Sequence, residues 1–361
     1  MVDEREDLLM TSGPTAVPPD VRAAMARPIP NPDVEAEFTE FYRSLLEKVA
    51  TLYDTDDEVL VLGGEGILGL EAAVASILEP GDEVLCLANG VYGAGFADFV
   101  EMHGGDATVH ETDARWGFDV EAVKTRIEEG DFAAATMVHC ETPTGLLNDL
   151  GPVLEVLQEA GVLTVVDAVS SLGGTSVPVE DVDLCLGASQ KCLSSPPGLT
   201  TVSVSDRAAD RIESVEQDTF YTSLEPWLDP DLSDAPALLP YTHLTSNLYA
   251  LDASLDRLLD EGLETVHDRH ERAAERCREL GRDLGLEPFP DEAFASPTVT
   301  AFEVDGNAGE LQQRLQSEHG VVLATSLGEY ADDLLRVGHM GYNADVEKVE
   351  RTMDALAEVL D

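Results

Sequence analysis

Two residues carry charge where charge is expensive, and both sit where a strand gives way to a loop. Asp167 closes the run Val165-Val166-Asp167-Ala168-Val169-Ser170-Ser171, so its carboxylate stands at the end of a hydrophobic strand, a costly position unless the group has a partner. Lys191 lies in Gly187-Ala188-Ser189-Gln190-Lys191-Cys192-Leu193-Ser194-Ser195-Pro196-Pro197-Gly198 and is one of four lysines; Lys48, Lys124 and Lys348 lie on charged, helix-like segments. No other charged residue stands between Asp183 and Asp206. An ammonium in so neutral a stretch loses hydration, which makes the amine easier to deprotonate and more nucleophilic. The plain alternative is a surface-loop lysine, and the rest of the chain decides between the two.

The neighbouring loops supply complementary groups. After the first strand candidate, Glu58–Leu62, comes Gly63-Gly64-Glu65-Gly66-Ile67 and then a helix; free amides at a helix start, uncovered by glycines, form an anion cup. The pattern is not G-x-G-x-x-G, which argues against a dinucleotide. Ala88-Asn89-Gly90-Val91-Tyr92-Gly93 follows the next strand and puts an aromatic ring on the loop, able to stack on a flat group. His139-Cys140-Glu141-Thr142-Pro143-Thr144-Gly145 offers hydroxyls. The chemistry that wants a carboxylate at Asp167 is a pyridinium nitrogen, kept protonated so that the ring works as an electron sink. An anion cup, a stacking ring, a ring-nitrogen carboxylate and a Schiff-base lysine, met in that order on successive strand ends, spell pyridoxal phosphate.

The elements that must position these groups alternate. Strands are expected at Glu58–Leu62, Glu83–Leu87, Thr108–His110, Ala133–Val138, Leu163–Val166, Leu184–Leu186 and Thr200–Val204. Helices are expected at Leu68–Leu78, Ala94–Met102, Val120–Ile127, Pro152–Ala160 and Asp206–Ser214, preceded by an amphipathic helix from Glu35 to Thr51. Unbroken apolar strands alternating with helices argue an α/β fold with a mostly parallel sheet covered on both faces, and ligands bind such sheets at the carboxyl ends of the strands. Residues 8 to 32 hold six prolines and read as an extended arm; 215 to 242 read as a surface excursion. Asn247 to Leu284 reads as one long charged helix or a bent pair, leading to a smaller C-terminal β/α domain. The expected division is an arm at 1–25, a large domain at 26–255 and a small domain at 256–361.

With those motifs in place the chain resembles the fold-type I, class V aminotransferases, closest to the alanine–glyoxylate and serine–pyruvate group, nearly end to end. The most specific parts are Asp167-Ala168-Val169-Ser170-Ser171-Leu172-Gly173-Gly174 and Ser189-Gln190-Lys191 followed by Pro196-Pro197-Gly198. The resemblance implies a mostly parallel, mixed seven-stranded sheet, with Lys191 forming the internal aldimine and moving the proton between Cα and the cofactor C4′. It implies that Asp167 pairs with the ring nitrogen, Tyr92 stacks where the group often has Trp, and Thr142 bonds the 3-oxygen. Glu65, Gly66, Ile67, Val169 and Gln190 are expected around the cofactor, with Gly66, Ile67 and Gln190 on its phosphate. Tyr241 and Thr242 fall in the segment that reaches the phosphate from a neighbouring subunit, which implies a homodimer with sites at the interface. Arg336, in Leu335-Arg336-Val337-Gly338-His339-Met340-Gly341, matches the family's carboxylate-binding arginine, a planar fork suited to an amino acid's carboxylate; Gly13 and Asn31 are expected beside the substrate. Glu65 departs from the pattern: many relatives have Ser or Thr there, a carboxylate cannot help hold a phosphate, and it is expected to point away from it.

Composition narrows the rest. The 361 residues carry 72 acids against 21 bases, a net charge of −51 spread along the chain. Such a surface suits molar salt, where the Debye length falls to about 3 Å, so a halophile's cytoplasm is the expected setting. Nucleic acid and anionic membrane are poor partners for so acidic a chain. The first seven residues are too acidic for a signal or transit peptide, and the five cysteines form no C-x-x-C pair. A cysteine desulfurase would need a cysteine late in the chain, and none follows Cys277; a lyase, or a transaminase using aspartate or 2-aminoethylphosphonate, would need the same cofactor residues and stays open. A metal on His267, His270, Glu264 and Glu271 competes poorly with a solvated acidic helix face, and no metal is expected. A non-catalytic scaffold would have no use for a full set of cofactor groups. The expected reaction moves an amino group from alanine or serine to a 2-oxo acid such as glyoxylate or pyruvate.

Overall fold

The computed structural model describes residues 7–228, 232, 236 and 239–360. The chain enters through β1 (Leu8–Leu9) and α1 (Pro19–Ala24) and then forms α2 (Ala36–Tyr53). Phe38, Tyr42, Leu45, Val49 and Leu52 recur on one face of α2 and are buried in the main core, as helical spacing requires. Next come β2 (Glu58–Gly63), α3 (Gly66–Ile77), β3 (Glu83–Ala88), α4 (Val91–Met102), β4 (Asp106–Glu111), α5 (Val120–Glu129) and β5 (Phe132–Val138). A small antiparallel hairpin, β6 (Cys140–Glu141) and β7 (Leu146–Leu147), leads to α6 (Gly151–Glu159). Then β8 (Leu163–Asp167), β9 (Leu184–Ala188) and β10 (Leu199–Val204) complete the large sheet, followed by α7 (Asp206–Ser214).

The seven strands lie in the order β2-β10-β9-β8-β5-β3-β4. All neighbours are parallel except β10, which runs antiparallel to both β2 and β9. Every residue of β9 and β10 is buried, which explains their unbroken apolar and small-residue character. The parallel strands direct their carboxyl ends to one edge, and the amino ends of α3 and α4 begin there. That edge gathers the groups described below.

The charged stretch after residue 244 is two helices, α8 (Thr245–Glu261) and α9 (Leu263–Asp283), broken at Gly262 with φ +85°, a conformation that favours glycine. The C-terminal part holds β11 (Thr300–Glu303), α10 (Ala308–His319), β12 (Val321–Val322), β13 (Ala324–Thr325), β14 (Leu334–Val337) and α11 (Val346–Leu360). Its three-stranded antiparallel sheet has the order β11-β14-β13. A second hydrophobic core forms there around Phe302, Leu315, Leu335, Val349 and Leu356, and Met10 belongs to it. Parallel pairing of β1 with β12 binds the amino-terminal arm to this part of the chain. Among the described residues, no helix is long and apolar enough to cross a membrane.

α4 starts at Val91, three residues before the expected Ala94, so Tyr92 stands on its first turn instead of on a loop. The sequence pattern at Gly90-Val91-Tyr92-Gly93 lacks a capping side chain of its own, and the acceptor comes from far away: buried Glu141 takes the Gly93 amide at 2.7 Å.

Candidate active site

Lys191 sits on the turn after β9, beneath the amino-terminal arm. Its Nζ donates to the Ser12 carbonyl at 2.8 Å, and Thr15 Oγ1 donates to the Lys191 carbonyl at 3.1 Å. Gly13 has φ +113°, and a Cβ built there would lie 2.4 Å from Lys191 Cδ and 2.7 Å from Nζ. Only glycine lets the arm pass so close to the amine. Burial lowers the Lys191 pKa to about 8; the Arg336 charge pushes the same way and Asp167 opposes it. The amine is therefore a nucleophile near neutral pH.

Asp167 ends β8, buried, with Oδ1 accepting from Val169 N at 2.8 Å. Burial raises its pKa to about 6, and the nearby Glu65 charge also raises it. Such a carboxylate is costly as an anion unless a cation meets it. Thr142 and Ser170 are buried with their hydroxyls hydrogen-bonded to each other. Arg336 projects from β14 and is 8% exposed. Its Nε donates to Thr325 O at 2.8 Å and Nη1 to Thr142 O at 3.3 Å. Among the described residues no carboxylate lies within ion-pair distance of it, and burial lowers its pKa to about 10. Tyr92, close enough to feel the charges of Arg336, Asp167, Glu141 and Glu65, has its pKa raised mainly by burial. Lys191, Asp167, Tyr92, Thr142 and Arg336 thus converge from five separate elements.

Two participants were not read from the sequence. Glu141 is fully buried and accepts from Gly93 N and, at 3.4 Å, from Tyr92 N; burial raises its pKa to about 7. It fixes the helix start that carries Tyr92. The only sequence signal was a carboxylate in His139-Cys140-Glu141-Thr142, adjacent to a residue already singled out. The Ser12 carbonyl has no side-chain signature at all.

In the loop after β2, Glu65 does not point away from the helix start. It is the N-cap of α3: Oε1 accepts from Ile67 N at 3.2 Å and Oε2 from Gln190 Nε2 at 3.2 Å. A short loop whose following amides lack acceptors draws the carboxylate of its own N-cap residue onto them. Gly66 packs against Val169, where an added Cβ would be 3.1 Å from Cγ2. Tyr241 engages the cup of its own chain. Its Oη accepts from Gly63 N at 2.8 Å, its ring stacks on Tyr221, and Trp227 meets it edge-on. His243, bonded to Val61 O at 3.0 Å, anchors that segment along β2. Thr242 is exposed. Asn31 is exposed too, its Oδ1 accepting from Asp33 N at 2.9 Å in a local turn, and it is not drawn into the group around Lys191.

The family model for class V aminotransferases matches residues 13–350. This chain is a class V aminotransferase. An uncharacterised aminotransferase of Methanocaldococcus jannaschii is 33% identical over 96% of this chain and 91% of its own length. The pyridoxamine–pyruvate transaminase of Mesorhizobium japonicum is 32% identical over 93% of this chain and 87% of its own. The crystal structure of an alanine–glyoxylate aminotransferase from Nostoc sp. superposes with a TM-score of 0.94 at 28% identity, covering 100% of this chain and 97% of that one. The α/β architecture and the mixed seven-stranded sheet are those of the fold-type I enzymes.

Class V aminotransferases use pyridoxal phosphate, which acts as an electron sink for the amino acid's Cα electrons. In this aminotransferase the ring side of the site fits that group: an amine for the aldehyde carbon, a buried carboxylate for the ring nitrogen, a hydroxyl at Thr142 and an aromatic ring at Tyr92. The phosphate side does not fit in the same way. One of the helix-start amides open to a phosphate, Ile67 N, is already bonded to the Glu65 carboxylate.

Proposed function

We propose that this class V aminotransferase moves an amino group from a small amino acid, alanine or serine, to a small 2-oxo acid such as glyoxylate or pyruvate. The observation that carries the reading is the Arg336 guanidinium: buried, bonded only to backbone carbonyls along Nε and Nη1, and near enough to Lys191 to depress its pKa. A fork so placed grips the carboxylate of an amino or 2-oxo acid through two hydrogen bonds. That grip sets the Cα beside Lys191 Nζ, which takes the Cα proton and returns it on the other side of the transfer. Asp167 is the carboxylate that would pair with a protonated ring nitrogen. The alanine–glyoxylate enzyme among its structural relatives favours a small donor and acceptor.

We further propose a homodimer in a high-salt cytoplasm, with the cup facing the partner and Thr242 reaching across. Supporting this, Phe220, Tyr221, Ile67 and Leu244 are 63%, 53%, 41% and 45% exposed, and Tyr221 stacks on Tyr241 at the cup. Apolar side chains gathered around a charged cleft suit a subunit contact.

The test incubates the protein with one amino acid and one 2-oxo acid in molar salt and follows both product pairs by nuclear magnetic resonance. Alanine or serine should give its oxo acid together with glycine from glyoxylate or alanine from pyruvate. Turnover with aspartate or 2-aminoethylphosphonate alone would overturn the substrate assignment. Release of ammonia in place of amino transfer would overturn the reaction assignment. Light scattering should give the mass of two chains, and Phe220→Glu should shift it toward one.

A further inference from the structure

We infer that Glu65 and Gln190 turn the anion cup into a site for a neutral hydroxymethyl group, so that this enzyme takes phosphate-free pyridoxal and pyridoxamine in preference to their phosphate esters. The inference rests on the reading of Lys191 and Asp167 as the ring site.

Three observations meet at the cup. First, the Glu65 carboxylate occupies the start of α3 and already bonds the Ile67 amide, the place where a phosphate would gain most from the helix end. Second, Gln190, only 6% exposed, is held in one orientation. Its Nε2 donates to Glu65, which leaves its Oε1 buried and without a donor. A phosphate dianion brings acceptors alone, so it would set one anion against another and leave Oε1 unsatisfied. A hydroxymethyl group brings an O–H, which a carboxylate or an amide oxygen accepts. Third, among the described residues of this chain the side chains bonded to the cup are Glu65, Gln190, Tyr241 through Gly63 N and Thr200 through the Gly64 carbonyl. None is cationic, so none offsets the charge of an ester.

The consequence is chemical as well as spatial. A ring without a phosphate anchor is held through Lys191 only in its aldehyde form, so its amine form is free to leave. Pyridoxamine and pyridoxal then serve as an exchangeable substrate pair. The nitrogen leaves C4′ of pyridoxamine for the keto carbon of the 2-oxo acid. The two electrons of the C4′–H bond follow it, and the keto oxygen is exchanged through water to the new aldehyde. Pyridoxal and an amino acid result, and no outside oxidant is required.

The experiment offers the full-length protein an equimolar mixture of pyridoxal and pyridoxal phosphate, reduces with borohydride, and reads the adducts on Lys191 by intact and peptide mass. Wild type should carry mainly the phosphate-free adduct. Glu65→Ser keeps a capping oxygen for α3 while removing the carboxylate. It should shift the ratio toward the phosphate ester by roughly a hundredfold, the order expected for losing one close anion–anion contact. Glu65→Gln, which keeps the size and the cap, should shift it in the same direction and carries the test if the serine variant melts early. A wild-type protein that captures mainly the ester, or a ratio that neither variant moves, overturns the role of Glu65 and leaves Lys191 as the ring-binding amine. No adduct on Lys191 from either compound overturns the ring site, and this inference falls with it.

Discussion

At the scale of single residues, the site is governed by desolvation that each charge must answer with another. Lys191 is the clearest case. Its pKa is lowered, so the neutral amine predominates above about pH 8 instead of above the ordinary lysine value. The rate of pyridoxal capture should therefore rise with pH and level off just above 8. Removing the Arg336 charge removes one of the two influences that lower this pKa, so Arg336→Met should move the midpoint upward, as seen by pH-dependent borohydride trapping. The same substitution deletes the bidentate partner of the substrate carboxylate. The concentration of amino acid needed for half-maximal rate should increase roughly 10- to 100-fold, the range for a lost charge-assisted hydrogen bond. A midpoint that stays put while the half-saturating concentration changes would separate the two roles. Asp167 and Lys191 were legible in the sequence because both are charges isolated in apolar or neutral runs. Glu65 was legible as an anomaly but not in its direction, because which amides a carboxylate finds depends on loop geometry. The contacts of Tyr241 and Asn31 within the chain were not readable, because their partners, the Gly63 amide and the Asp33 turn, leave no mark on composition or spacing.

At the scale of elements, the strand ends are held in place by contacts that bridge distant parts of the chain. The α4 start depends on Glu141, which lies 48 residues from the Gly93 amide it accepts. Glu141→Ala should cost about 1 kcal/mol or more of stability, as loss of a helix cap does, and should loosen Tyr92. Glu141→Gln keeps an acceptor and should recover most of the loss in a thermal melt. Both folded-state acids, Glu141 and Asp167, have raised pKa values, so they bind protons more readily folded than unfolded. Their contribution to stability is present below their unfolded values and is lost as pH climbs through about 6 and 7. The arm depends on a glycine: Gly13→Ala would force a positive φ on alanine and drive its Cβ into Lys191. That variant should melt earlier by several degrees and trap little pyridoxal, whereas Gly309→Ala, where an added Cβ meets nothing within 4 Å, should behave as wild type. Strand and helix alternation was readable because buried parallel strands are continuous apolar runs. The reversed direction of β10 was not, because a strand buried on both faces has the same composition whichever way it runs. The break at Gly262 was ambiguous for a related reason, since α8 and α9 share one charged, amphipathic pattern across it.

At the scale of the whole molecule, the property that outweighs the others is a net charge of −51 on 361 residues. The described ion pairs leave that excess standing: Lys48 bridges Asp252 and Asp256, and Arg211 bridges Glu79 and Asp82, but arginine and lysine total 21 against 72 acids. At about 0.1 M salt the Debye length is about 10 Å, so carboxylates on adjacent turns and strands repel one another; at 1 M it is about 3 Å and the repulsion is confined to direct neighbours. Folding compresses these charges, so the native state is penalised more than the unfolded chain and gains more from screening. The unfolding midpoint should therefore climb between 0.1 M and 3 M KCl, by about 10 °C or more given that 1 kcal/mol is worth a few degrees at this size. Screening and ion exclusion can be told apart with a denaturing comparison: sodium chloride and guanidinium chloride at the same low concentration screen alike, although only one weakens apolar burial. An early rise in the melting temperature with both salts, followed by divergence at higher concentration, identifies charge repulsion as what the salt relieves. A midpoint flat across the whole range of KCl would mean that the acidic surface is already neutralised by tightly held cations, and the high-salt setting would lose its physical basis.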